Sequence, residues 1–204
     1  MNSIDFERKR FKMIIVKKGL KMRIIAGKAK GTKLYTLEGE NTRPTLDRVK
    51  ESLFNIIQNE IQDSIFLDLF SGSGAIGIEA VSRGAKKAIL CDKSKEACMI
   101  IKKNIDKTHT LEKIELYQTD FKEVLTNKIH EKLDIIFLDP PYKTDFAVEA
   151  VKIILERNLL NENAMIIIET DDSDKIQEDL KEIAYKIKDI RKYGRAYLIF
   201  LRGI

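Results

Sequence analysis

The sequence predicts an α/β protein built on a seven-stranded, mostly parallel sheet that finishes in an antiparallel hairpin, with a β-hairpin and a helix ahead of the sheet. Three observations predict this. From Ile65 onward short apolar runs alternate with stretches of helical spacing, the pattern of parallel strands covered on both faces. Glycines at Gly72, Gly74 and Gly77 follow the first of these runs, where a strand would turn sharply into a helix. The last two apolar runs, 185–190 and 196–201, are joined only by residues 191–195, a link too short for a parallel crossover.

The elements follow in order. Residues 1–21 show no clear period or turn chemistry and read as a loosely ordered basic extension. Residues 22–60 read as the hairpin and helix: 23–26 and 32–37 flank a turn region ending at Gly31. Thr45 is expected to cap a helix over 46–59, where Leu46, Val49, Leu53, Phe54 and Ile57 recur at helical spacing. Residues 61–204 form the main domain. Its expected strands are 65–70, 88–91, 114–118, 134–138 and 164–169, followed by the two closing runs. Its expected helices are 75–83, 95–107, 121–127, 146–157 and 175–183.

Composition bounds the function. With 44% apolar and 34% charged residues in a chain of 204, the protein reads as one globular domain with a small appendage. No apolar stretch approaches the roughly 18 residues of a membrane span, and only Met13 to Val16 follow the first basic run, too few for a signal-peptide core, so a cytoplasmic protein is expected. Cys91 and Cys98 have no His cluster beside them and read as buried or free thiols, with no metal site. The net charge of +5 lies entirely in residues 1–21, with seven basic residues against two acids; the remainder carries thirty of each. Any affinity for nucleic acid in the folded body must therefore come from local patches. One candidate patch is Arg23, Lys28, Lys30, Lys33, Arg43, Arg48 and Lys50, against Glu38, Glu40 and Asp47.

The chemistry-bearing residues gather at the strand ends. Gly72 and Gly74 allow the backbone to approach a ligand at the amino end of a helix, where N–H groups point outward. Together with Gly77 they fit both NAD and S-adenosylmethionine sites. Asp92, twenty residues after Gly72, is placed to accept hydrogen bonds from ribose hydroxyls in either case. Asp68 favours S-adenosylmethionine, because its acid suits the amine-bearing, cationic end of that cofactor. Phe70 belongs to the same cofactor-binding segment. Asp120 and the Phe121 backbone N–H suit an adenine, although Asp120 reads equally well as a helix cap.

The segment Asp139, Pro140, Pro141, Tyr142 directly follows an apolar strand and carries the reaction class. Its prolines end the strand and stiffen a loop at the carboxyl edge of the sheet, where open α/β sheets bind ligands. An exocyclic amino group is a poor nucleophile because its lone pair is delocalised into the ring. The Asp139 carboxylate and Pro140 carbonyl are placed to accept its two hydrogens, while Tyr142 stacks on the base. Holding such reactants in line supplies on the order of 7 to 11 kcal/mol of a barrier. The same loop would serve adenine N6 or a glutamine amide. An NAD-dependent oxidoreductase and a non-enzymatic RNA-binding module are the readings from other classes.

From Met22 to Ile204 the chain resembles the RsmD-type bacterial methyltransferases of small-subunit ribosomal RNA. The matching segments are Met-Arg-Ile-Ile-Ala-Gly at 22–27, the stretch from Arg43 to Ile56, Asp-Leu-Phe-Ser-Gly-Ser-Gly at 68–74 and Asp-Pro-Pro-Tyr at 139–142. The resemblance implies a Rossmann-like class I methyltransferase fold, S-adenosylmethionine as cofactor, and methylation of guanine N2. It places Asp68, Gly72, Gly74, Asp92 and Asp120 in the cofactor site and residues 139–142, including Pro141, around the guanine. Arg43, Thr45 and Arg48 would lie on the substrate side. A guanine N2 is out of reach in a stacked helix, so the target is expected in a loop or flipped out. Bare ribosomal RNA and a partly assembled small subunit both remain open as partner.

Overall fold

The computed structural model describes residues 22–37, 44–181, 183 and 186–203. The expected basic extension 1–21 and Arg43 lie outside the described residues. The N-terminal hairpin is minimal, a single antiparallel bridge between Arg23 and Lys33 flanked by Ile24 N–H to Thr32 O (3.0 Å) and Leu34 N–H to Met22 O (2.9 Å). Helix α1, Pro44–Ile56, starts earlier than expected. Proline at the first helical position has its φ already set and no N–H to leave unpaired. Thr45 is therefore inside the first turn and is not the cap; its side chain lies outside the described residues.

The main domain runs β1 Ile65–Asp68, α2 Ala75–Ser82, β2 Lys87–Cys91, α3 Lys95–Thr108, β3 Ile114–Tyr117, α4 Phe121–Glu123, β4 Leu133–Leu138, α5 Phe146–Glu156, β5 Leu160–Thr170, α6 Ser173–Asp179, β6 Lys186–Tyr193 and β7 Ala196–Arg202. The sheet order is β3-β2-β1-β4-β5-β7-β6, with the first five strands parallel and β7 antiparallel to both neighbours. The order reverses direction between β1 and β4, which opens a crevice at their carboxyl ends.

Several boundaries differ from the sequence expectation for identifiable reasons. The expected helix 121–127 is a short α turn continued by a wider π turn, Val124–Lys128. The helix expected over 175–183 is shifted to 173–179 because Asp172 caps it, accepting from Lys175 N–H (3.0 Å). Strand β5 begins at Leu160 and includes the exposed Asn161, Glu162 and Asn163, whose polarity hides it. Strand β6 continues through Arg191 and Lys192, exposed on the sheet edge, where charge discourages further pairing. Its connection to β7 is only Gly194 and Arg195, with Gly194 at φ 64° as a tight hairpin turn requires.

Strand alternation divides the core. Phe66, Ile135, Phe137, Met165 and Ile167 face α1, α2, α3 and the N-terminal hairpin, while Leu67, Ile136, Leu138, Ile166 and Ile168 face α4, α5 and α6. The amphipathic stripe of α1 sends Leu53 and Phe54 into the first face, fully buried, each contributing about 1.5 to 3 kcal/mol. The N-terminal elements thus share a core with the main domain. Among the described residues no helix is long and apolar enough to cross a membrane.

Candidate active site

The loop after β1 is shaped by its own hydrogen bonds. Ser71 Oγ donates to Asp68 O (2.7 Å) and accepts from Cys91 N–H (3.0 Å), tying the ends of β1 and β2. Gly72 and Gly74 adopt φ of 52° and 77°, left-handed values that a side chain disfavours. Gly77 has a different reason: a Cβ there would stand 2.6 Å from Leu90 Cδ1, so it permits α2 to lie close on β2. Gly74 likewise backs onto Leu90 and Ile101, behind the loop.

Around this loop a cleft of about 550 Å³ opens, within the range of about 300 to 1,000 Å³ usual for small-molecule sites. Asp68, Phe70, Gly72, Asp92, Asp120, Phe121, Asp139, Pro140, Pro141 and Tyr142 all line it. Met22, Leu37, Val49, Lys50 and Leu53 line it too, so the N-terminal hairpin and α1 form part of its wall. Asp68 is 1% exposed and its Oδ2 accepts from Gly77 N–H (3.0 Å). Burial pushes its pKa up to about 7; the Gly77 bond opposes the rise and the Asp92 charge adds to it. A buried carboxylate in that state is suited to a cationic ligand. Asp92 is held from both sides, Oδ2 accepting from Gly72 N–H (2.9 Å) and Oδ1 from Ser94 N–H (2.8 Å). Asp120 does cap its helix, accepting from Lys122 N–H (2.9 Å), and it also lines the cleft. Asp120 is thus a helix cap and part of the cleft wall at once.

Part of the cleft wall is aromatic. Phe70, Phe121 and Phe146 pack with ring centroids 5.1 to 6.5 Å apart. Phe146 is an addition of the tertiary structure, since in sequence it only begins a helix. Tyr142 projects at the rim, 54% exposed. The loop is fastened by Thr144 Oγ1 donating to Pro141 O (2.7 Å), and Lys143 takes a left-handed φ of 64°. Glu169, in sequence only the last residue of a strand, is 6% exposed, lines the cleft beside residues 139–142, and is pushed up to about 7 by burial.

The structure separates the remaining candidates. Arg48 is exposed on α1 beside the cleft-lining Val49, outside the lining itself. Lys50 leaves the proposed basic patch: it is 4% exposed, donates to Arg23 O (2.5 Å) and pairs with Glu79 (3.4 Å). The reason is that Glu79, fully buried on α2, accepts from Ile25 and Ala26 N–H (2.8 and 2.9 Å) and needs cations beside it. Arg23, Lys28, Lys30 and Lys33 are exposed. Cys91 and Cys98 are free and buried, and burial pushes their thiols up to about 12 and about 11, well away from a reactive thiolate.

The residues fit S-adenosylmethionine on three counts. A buried acid awaits a cation, a second acid is backbone-held at a strand end, and an aromatic cluster lines the same cleft. Comparison with known proteins agrees. Residues 22–202 match the model of a family described as conserved hypothetical protein 95. The ribosomal RNA small subunit methyltransferase D of Haemophilus influenzae is 41% identical over 154 residues, 74% of this chain and 79% of its own length. Its namesake in Buchnera aphidicola subsp. Acyrthosiphon pisum is 33% identical over 182 residues, 89% of this chain and 94% of its own. The solved structure of yhhF from Escherichia coli superposes with a TM-score of 0.78 at 27% identity, covering 90% of this chain and 98% of that one.

Proposed function

Since the chain belongs to the family described as conserved hypothetical protein 95, we propose that it methylates the exocyclic N2 of one guanine in small-subunit ribosomal RNA, with S-adenosylmethionine as donor. The observation that carries this reading is the shared cleft: Asp139, Pro140, Pro141 and Tyr142 line the same cavity as Asp68, Gly72 and Asp92. When bound, the cofactor supplies a methyl carbon made electrophilic by a positively charged sulfur.

The chain's own residues do the rest. Asp68 meets the cationic end of the cofactor, Asp92 accepts from the ribose hydroxyls, and the Phe70 and Phe121 rings cover apolar surface. Asp120 and the Phe121 N–H face the adenine. The Asp139 carboxylate and Pro140 carbonyl each accept one amino hydrogen, which draws the nitrogen lone pair out of conjugation and aims it into the cleft. Tyr142 and Pro141 hold the base plane at the rim. The exposed Arg23, Lys28, Lys30, Lys33 and Arg48 attract flanking phosphates, and Arg43 and Thr45 belong to the same substrate side. The enzyme works in the cytoplasm, where a partly assembled small subunit presents the target in a loop.

Incubating the protein with methyl-labelled cofactor and, in parallel, small-subunit RNA, small-subunit particles, DNA and a release factor tests this. Label is expected in the RNA of the first two, as N2-methylguanine by mass spectrometry of the digest. Label confined to DNA or to protein would overturn it.

A further inference from the structure

Glu169 occupies a position that the cofactor does not explain. In the parallel β4–β5 pair Ile135 lies opposite Met165, and Phe137 opposite Ile167, all on the α1 face. The same alternation carries Asp139 and Glu169 side by side beyond the last pair on that face. Glu169 lines the main cleft and also a second cavity of about 360 Å³, and among the described residues the two cavities share only Glu169, Pro140, Pro141 and Tyr142. Glu169 is 6% exposed as a residue; among the described residues nothing donates a hydrogen bond to its carboxylate, whose oxygens are not sealed from the cavities. Its place in the lining of both cavities, with Pro140, Pro141 and Tyr142, puts it beside whatever the clamp holds.

Resting on the reading that the clamp holds a guanine amino group, we propose that Glu169 is a specificity-determining residue, accepting the ring N1–H that sits next to that amino group on the same edge of the base. Guanine offers a donor at both positions. Adenine has an acceptor at N1, so the lone pairs of the carboxylate and the ring nitrogen would face each other there. Asp139 secures the amine and Glu169 identifies the ring that bears it. Burial, which raises the pKa of Glu169, is offset by such a donor, because a hydrogen bond to the ionised form favours it.

The test uses 2-aminopurine, which keeps the 2-amino group and has no hydrogen on N1. Small-subunit particles are reconstituted with either guanine or 2-aminopurine at the methylated position mapped by mass spectrometry. Wild-type kcat/KM is expected to be roughly 10- to 100-fold higher on guanine, the scale of one hydrogen bond to a charged group. Glu169→Gln, whose amide donates to an unprotonated N1, should bring the two substrates within about threefold of each other, with calorimetric affinity for S-adenosylhomocysteine unchanged. Glu169→Ala should slow guanine without improving 2-aminopurine. Equal wild-type rates on the two bases overturn the inference without needing any variant, as does a guanine preference that survives in Glu169→Gln. Both of these results leave guanine methylation standing. Absence of any label on RNA guanine removes the proposed function and this inference together.

Discussion

The Asp68 carboxyl, buried and raised to about 7, makes two pH dependences predictable. Its folded value lies above the ordinary 3.8, so it stabilises the ligand-free fold fully below that ordinary value, and this contribution is lost as pH rises through about 7. Cofactor binding runs the other way, because only the ionised form neutralises a cation. Affinity for S-adenosylmethionine should rise about tenfold between about pH 6 and pH 8. Asp68→Asn should flatten that rise in calorimetry; a rise that persists in the variant removes Asp68 as its cause. Asp92 and Asp139 divide differently. Asp92→Ala removes the proposed acceptor for the ribose and the anchor of Gly72 N–H, and should weaken cofactor binding at least about tenfold. Asp139→Ala should leave that affinity nearly intact and lower kcat by on the order of 100-fold, the cost of losing alignment at the reacting nitrogen. Single-turnover rates alongside calorimetry separate the two, and an Asp139→Ala enzyme turning over normally rules out its role.

The elements are joined by a buried ionic knot. Glu79 on α2 receives two N–H bonds from the N-terminal hairpin, Arg83 Nε at 2.8 Å and Lys50 Nζ at 3.4 Å. Asn104 on α3 adds a second anchor, accepting from Tyr35 N–H (2.8 Å) and donating to Tyr35 O (2.9 Å). Gly27 completes the fit, since a Cβ there would stand 1.8 Å from Ser82 O. Removing one member of such a network strands the others, so Glu79→Ala should cost about 3 to 5 kcal/mol of unfolding free energy in urea titration. A loss under about 1 kcal/mol would show that the knot is not what holds the hairpin. Because Met22, Leu37 and Lys50 line the cleft, the same variant should also weaken cofactor binding.

At the scale of the molecule, charge is arranged more tightly than its sum suggests. Outside residues 1–21 the chain is neutral overall, yet Arg23, Lys28, Lys30 and Lys33 stand exposed together on the hairpin that walls the cleft. If they hold phosphates, RNA binding weakens steeply with salt. Lys28→Ala and Lys30→Ala should each reduce the slope of log affinity against log salt by about 0.7 to 0.9. An unchanged slope in both would move the RNA to another face.

Much of this was legible in one dimension. Alternating apolar runs gave the parallel sheet, the short final link gave its antiparallel end, and the glycine and Asp-Pro-Pro-Tyr segments located the strand ends that line the cleft. These signals are local: each depends on the period of a run, or on what glycine and proline permit the backbone within a few residues. Phe146, Glu169 and the burial of Lys50 were not legible, because each depends on which distant element lies opposite. A terminal strand acid, a first helical phenylalanine and a helix lysine look ordinary until the register of β4 on β5 and the seating of the hairpin on α2 bring them to the cleft wall or take them out of solvent. The sequence by itself determined the class of fold and the identity of the cleft's main acids. Only the tertiary structure decided which charges remain in water and which are buried, since desolvation is set by neighbours from the whole chain and not by neighbours in sequence.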